Sequence, residues 1–211
     1  MKKVMSLVLV LVCMCSMLLE GAAAYEPNLE STPYTVTVIS GEEEIRQYLA
    51  ECGEEYDPDL VEVIRIETNP GPKDFGGVEE GVSPNFIIRE PYAKNVNTSK
   101  FTDFDDTLAE FLREAGEVSI DETVTISNSF TADAGISAEI LEMTLGIDVT
   151  RTDEFAVNWK RTYSYPVRIT VHPRYEKTTG EIWDKDIQFD DYIGDFTVLE
   201  AIGDDIRVGR R

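Results

Sequence analysis

From Val118 to Ile140 the even positions run Val, Ile, Glu, Val, Ile, Asn, Phe, Ala, Ala, Ile, Ala, Ile, and every odd position between them is Ser, Asp, Thr, Glu or Gly. Alternation with a period of two belongs to β structure with one apolar and one polar face. Unbroken, it would span on the order of 75 Å at ~3.3 Å per residue, several times a usual strand. Past Ile140-Leu141-Glu142 the apolar residues move to odd positions: Met143, Leu145, Ile147 and Val149. That change of parity predicts a hairpin or a short helical crossover. Ile140, Leu141, Thr144 and Leu145 also match a helical turn, so the pattern leaves both open.

Before this stretch, Tyr34 to Ile39 alternates as a strand. Ser40 with Glu43 forms a capping box, Ile45, Tyr48, Leu49 and Cys52 share one helical stripe, and Gly53 stops the helix. Leu60 to Glu67 is rich in β-branched residues and reads as a second strand, giving a β-α-β opening. A loop marked by Pro and Gly runs from Asn69 to about Pro84, and Phe86 to Ile88 is a short strand. Thr107 with Glu110 repeats the capping box, and Leu108, Phe111, Leu112 and Ala115 complete a helix predicted over 105–115. Afterwards Phe155, Val157 and Trp159 share one strand face and Val167, Ile169 and Val171 another, while Lys177-Thr178-Thr179-Gly180 reads as a hairpin turn into Glu181-Ile182-Trp183. The expected fold is α+β and predominantly antiparallel β. A small β-α-β part over 25–116 precedes an elongated β-meander over 117–211 with a long amphipathic hairpin, and the two can form one compact unit.

Lys2 and Lys3, the apolar run Val4 to Leu19 and the Ala22-Ala23-Ala24 end have the three parts of a secretory signal peptide. Cleavage is expected after Ala24. The run is short of the ~20 apolar residues that span a bilayer, and Met14 before Cys15 and Val12 before Cys13 suit lipidation poorly. The protein is therefore expected outside the cell, without a lipid, beginning at Tyr25. Of the three cysteines only Cys52 then survives, which excludes an intramolecular disulfide, and its place on the apolar stripe suits a small core residue better than a reactive thiol.

With 42% hydrophobic residues among 211, the chain can build a core, and wholesale disorder is excluded. Its 41 acidic against 19 basic residues give a net charge of -22, which argues against nucleic acid and anionic membrane surfaces as partners. His172 is the single histidine, so any metal motif built on two imidazoles is absent. No phosphate loop or nucleophile elbow is present, and no catalytic residue, cofactor or metal site is assigned. Asp103, Asp105 and Asp106 lack the EF-hand spacing and read as carboxylates at a helix start.

The run Thr125 to Leu141, Gly146 to Thr150 and the strand through His172-Pro173-Arg174-Tyr175 resembles a group of uncharacterised secreted proteins of Gram-positive gut-type bacteria, over roughly residues 115–185. That likeness carries no activity. In architecture the Ser/Thr-rich amphipathic segment also resembles the insertion strands of aerolysin-type and epsilon-toxin-type β-pore-forming proteins.

Three functions follow. The first is a secreted, non-enzymatic β-rich protein that acts by binding or assembly at the cell exterior, on an extracellular or cell-surface partner or by self-association. The second is a β-pore former inserting 118–150, with Val118, Ile120, Val124, Ile126, Phe130, Ile136, Ile140, Leu145, Ile147 and Val149 as its insertion or interaction face. Glu122 and Asn128 interrupt that face. The third is a hydrolase with paired carboxylates, for which Asp184, Asp186, Asp190 and Asp191 are the densest group.

Overall fold

The protein is described here by a computed structural model covering residues 34–68, 90–185 and 189–211. The expected leader, the expected lead-in to β1, the expected 69–84 loop, the strand expected at Phe86 to Ile88, and Asp186 lie outside the described residues. The described residues belong to one compact unit, mostly of antiparallel β structure.

Its spine is a ribbon of two long strands, β8 (Val167–Lys185) and β9 (Asp191–Arg210), paired antiparallel along almost their whole length. Strands this long expose more edge than one partner covers, so each edge takes two partners in succession. Along β9, β2 (Leu60–Thr68) pairs with the 203–209 half and β6 (Ser129–Ala132) with 196–199. Along β8, β3 (Glu90–Thr102) pairs with the 174–185 half and β4 (Ala109–Arg113) with 167–171. β1 (Tyr34–Ser40) closes the order β1-β2-β9-β8-β3 by pairing with β2. β5 (Gly116–Ser127) and β7 (Thr152–Tyr163) form a separate two-stranded sheet.

Two bulges in β9, at Ile202 and Ile193, shift its register against an uninterrupted β8. β8 alternates throughout, so its faces can be followed by parity. Val167, Ile169 and Val171 on the odd face pack with Ile206 and Val208 under β5 and β7, whose Val118, Ile120, Val124, Ile126, Phe155, Val157 and Trp159 complete that core. The even face carries α1 (Glu42–Cys52) at one end, over Val63, and α2 (Ala138–Leu145) at the other, over Ile182, Phe196 and Val198. The sheet is thus covered on opposite faces by different layers.

Three segments depart from the sequence reading. Residues 109–113 are strand β4 and not a helix: pairing with the Val167–Val171 edge overrides the local capping-box and stripe pattern, and Leu112 stays half exposed. Lys177 to Gly180 make no turn. They lie inside β8, where Thr178 is fully buried and a Cβ on Gly180 would come within 2.9 Å of the Phe196 ring and 3.0 Å of the Lys94 carbonyl oxygen. Glycine marks a close approach there. Of the two readings left open at 140–142 the helical crossover is the one observed, and the long hairpin is absent: Met143 and Leu145 lie in α2, Ile147 and Val149 in the loop after it, and the partner of β5 is β7. Leu141 and Leu145, one helical turn apart, are both buried while Met143 is exposed, which is a helical pattern and not a strand pattern.

At α1 the cap differs in detail. Gly41 is the N-cap, with no side-chain bond, and the carboxylate of Glu44, not Glu43, accepts from the Ser40 N–H at 3.3 Å. Gly53 ends the helix in the left-handed region at φ 75°.

Candidate functional site

The ten residues of the expected insertion face do not form one surface. Val118, Ile120, Val124 and Ile126 are buried between the two sheets, and Ile136, Leu145, Ile147 and Val149 are buried in the α2 core on the opposite face of β8, with Ile140 packed at its margin. Phe130, on the short strand β6, is the one that is exposed. In this fold the other nine serve as core, divided between two layers.

Polar groups concentrate instead on the even face of β8, beside and beneath α1. Asp205, on β9, is fully buried, and its carboxylate accepts from Tyr48 Oη at 2.8 Å, Arg65 Nε at 3.0 Å and Thr102 Oγ1 at 2.6 Å. Arg174 donates to Thr102 Oγ1 at 2.9 Å and pairs with Glu67, extending the network across the sheet. A carboxylate with three donors is a satisfied buried charge, so this cluster holds α1 and β3 to the sheet. Burial and Asp205 together push the Tyr48 phenol well above the ordinary tyrosine range and raise the Cys52 thiol as well, which makes Cys52 a poor nucleophile.

Next to this network lies an open cleft of about 410 Å³. Its floor comes from β8 and β9: Arg168, Thr170 and His172 on one strand face Arg207 and Gly209 on the other, with Thr170 opposite Arg207 in register. Phe104 and Thr107 of the β3–β4 connection form one wall, and Asp57 and Asp59 of the loop after α1 form the other. Arg210 borders the cleft through its backbone N–H, which donates to the Asp59 carbonyl at 2.7 Å, but it pairs in register with Val167 and its guanidinium lies over Tyr165 on the odd-face side. His172 is buried on the floor, its Nδ1 2.8 Å from the Asp106 carbonyl oxygen and its Nε2 2.9 Å from Thr170 Oγ1. A carbonyl can only accept, so Nδ1 carries the proton and Nε2 accepts from the Thr170 hydroxyl. Burial lowers the His172 pKa, outweighing the Asp106 carbonyl, and the ring stays neutral at neutral pH. Both nitrogens are engaged, which makes the ring a fixed floor tile and leaves no free base.

The arginines are the unusual feature. Arg168 pairs with Glu110 at 2.8 Å, but Arg207 and Arg210 have no carboxylate within ion-pair distance among the described residues. Arg207 lies over the Phe104 ring at 4.7 Å and Arg210 over Tyr165 at 4.9 Å. An aromatic face holds a guanidinium through its π cloud and leaves the in-plane N–H groups for another acceptor.

The other candidates resolve differently. Asp190 is hydrogen-bonded by Tyr92 and Lys94, which hold its carboxyl below the usual range, so it is a poor proton donor. Asp103 Oδ1 accepts from the Asp105 N–H at 3.1 Å in a turn, with no helix following. No group of three or more metal-ligating side chains occurs among the described residues.

The parity of Arg168, Thr170 and His172 against Val167, Ile169 and Val171 was visible in the sequence and marks a polar face. Arg207, Phe104, Asp57 and Asp59 were not singled out, because they come from three other segments and only the sheet register joins them. No family model, curated protein or solved structure matches the chain, so the cleft is read from its own chemistry.

Proposed function

We propose that this is a secreted, non-enzymatic binding protein that works at the cell exterior, and that its ligand site is the cleft of Arg207 and His172. The observation that carries the reading is Arg207, held on the Phe104 ring at the cleft floor with no carboxylate within ion-pair distance among the described residues. A guanidinium so placed suits an anionic group of a ligand, through charge-assisted and bidentate hydrogen bonds. The neutral, doubly engaged His172 offers orientation without proton transfer, which favours binding over turnover.

Gly209 supplies a clean test. A Cβ there would meet only the Asp59 carbonyl oxygen at 3.6 Å and that of Arg168 at 3.9 Å, ordinary contacts, and a longer side chain grows into the cleft. Acetate is expected to raise the melting temperature of the wild type over chloride at matched ionic strength. Gly209→Leu and Arg207→Ala should melt normally without ligand and lose that shift. An equal acetate shift in all three proteins would place the anion elsewhere.

A second reading, β-pore formation, has one observation in its favour: β5 and β7 pair in unbroken register over 12 residues each, longer than the ~9–11 a membrane strand needs. Their apolar side is occupied here by the sheet core. Conductance in a planar bilayer from folded protein is the result that would put this reading first.

A further inference from the structure

We infer that the ligand of the cleft is a sugar acid, a hydroxylated ring bearing one carboxylate; this rests on the reading of the cleft as a binding site and adds the class of molecule it takes. The two ends of the cleft ask for different chemistry. At Arg207 the protein presents N–H donors and positive charge, which a planar carboxylate satisfies in bidentate fashion. On the opposite wall Asp57 and Asp59 present negative charge and acceptor oxygens. A compact dianion such as phosphate, seated on Arg207, would lie near those carboxylates. One negative charge with hydrogen-bond donors beyond it fits both ends.

The floor adds a neutral requirement. Because the Thr170 hydroxyl spends its proton on His172 Nε2, its oxygen faces the cleft as an acceptor. The Thr107 hydroxyl lies on the neighbouring wall. Hydroxyl groups match these positions, since each can donate to one oxygen and accept from another, and an apolar acid would leave them desolvated and unpaired. An amino acid would satisfy the charges through its ammonium group but would leave the two threonine hydroxyls without partners. Size agrees: about 410 Å³ lies in the range of roughly 300–1,000 Å³ typical of small-molecule sites, well beyond what a bare oxyanion fills.

Titration calorimetry on the mature protein with glucuronate, glucose, inorganic phosphate and glycine separates the cases. Glucuronate is expected to bind at least tenfold more tightly than the other three, and more weakly as salt rises. Arg207→Ala should lose at least tenfold for glucuronate. Thr170→Val, with its fold checked by circular dichroism, should weaken glucuronate severalfold and leave phosphate unchanged. Phosphate or glycine binding as well as glucuronate, and lost in Arg207→Ala, would overturn the sugar acid while keeping the cleft as an anion site. Glucose binding equally well would remove the need for the carboxylate and also overturn it. If no probe binds, both the ligand class and the binding site fall.

Discussion

Replacing Phe155 by alanine should cost about 3–5 kcal/mol, the range for emptying a fully buried aromatic site. Phe155 is 1% exposed, lies opposite Val124 on β5, and packs against Tyr34 with ring centroids 6.1 Å apart. It therefore touches both strands of the small sheet and the edge of the large one. The main sheet below is rigid, so the vacated volume cannot collapse fully and the lost contacts are not recovered. Chemical denaturation reads the loss directly. Stability within scatter of the wild type would mean that β5 and β7 do not pack on the main sheet as described.

The second large effect concerns Asp204, fully buried on the side of the sheet that carries the odd residues of β8, paired in register with Ile66 on one side and Pro173 on the other. Neither of its side-chain oxygens has a hydrogen-bond partner. Desolvation first, and the neighbouring Asp205 second, push its pKa up to about 8. An unfolded aspartate titrates near 4, so the folded state holds a proton that the unfolded state releases over the interval between. The stability contributed by that proton is complete below about pH 4, falls as pH rises, and is gone once the pH passes about 8. Asp204→Asn removes the titration and keeps the shape. The variant should match the wild type near pH 4 and exceed it by roughly 2–4 kcal/mol at pH 8. Melts of the two proteins across this range give the difference free of every other titrating group. A constant difference with pH would show that Asp204 is hydrated or partnered in solution.

Why the sequence disclosed some of this and not the rest is visible at particular residues. Val118 to Ile126 alternate because one face of β5 is buried and the other wet, and period two reports that asymmetry whichever sheet supplies the cover. It does not report the partner. The same pattern suits a strand in lipid and a strand on a protein core, so the division of the ten apolar residues between two cores could not be read locally. Residues 143–149 mislead for a different reason. A helix ending at Gly146 followed by an extended loop happens to place Leu145, Ile147 and Val149 inward at alternate positions. At 105–115 the local preference for helix was real and lost to the unsatisfied edge of β8. The cleft was half legible: β8 displays its polar face by parity, whereas the wall and the arginine opposite it arrive through registers that only the folded sheet defines.

The claim that the protein acts through this cleft is tested most directly at the guanidinium groups themselves. Nuclear magnetic resonance of the arginine Nε–H groups, assigned by single Arg→Lys variants, can be followed while glucuronate is added to the protein. The account predicts that the Arg207 signal moves and saturates at one ligand per chain, while those of Arg210, held over Tyr165 on the other side of the sheet, and of Arg46, paired with Glu42 at 2.7 Å on the surface of α1, stay in place. An Arg207 signal that does not respond, with the changes falling on β5 and β7 instead, would contradict it.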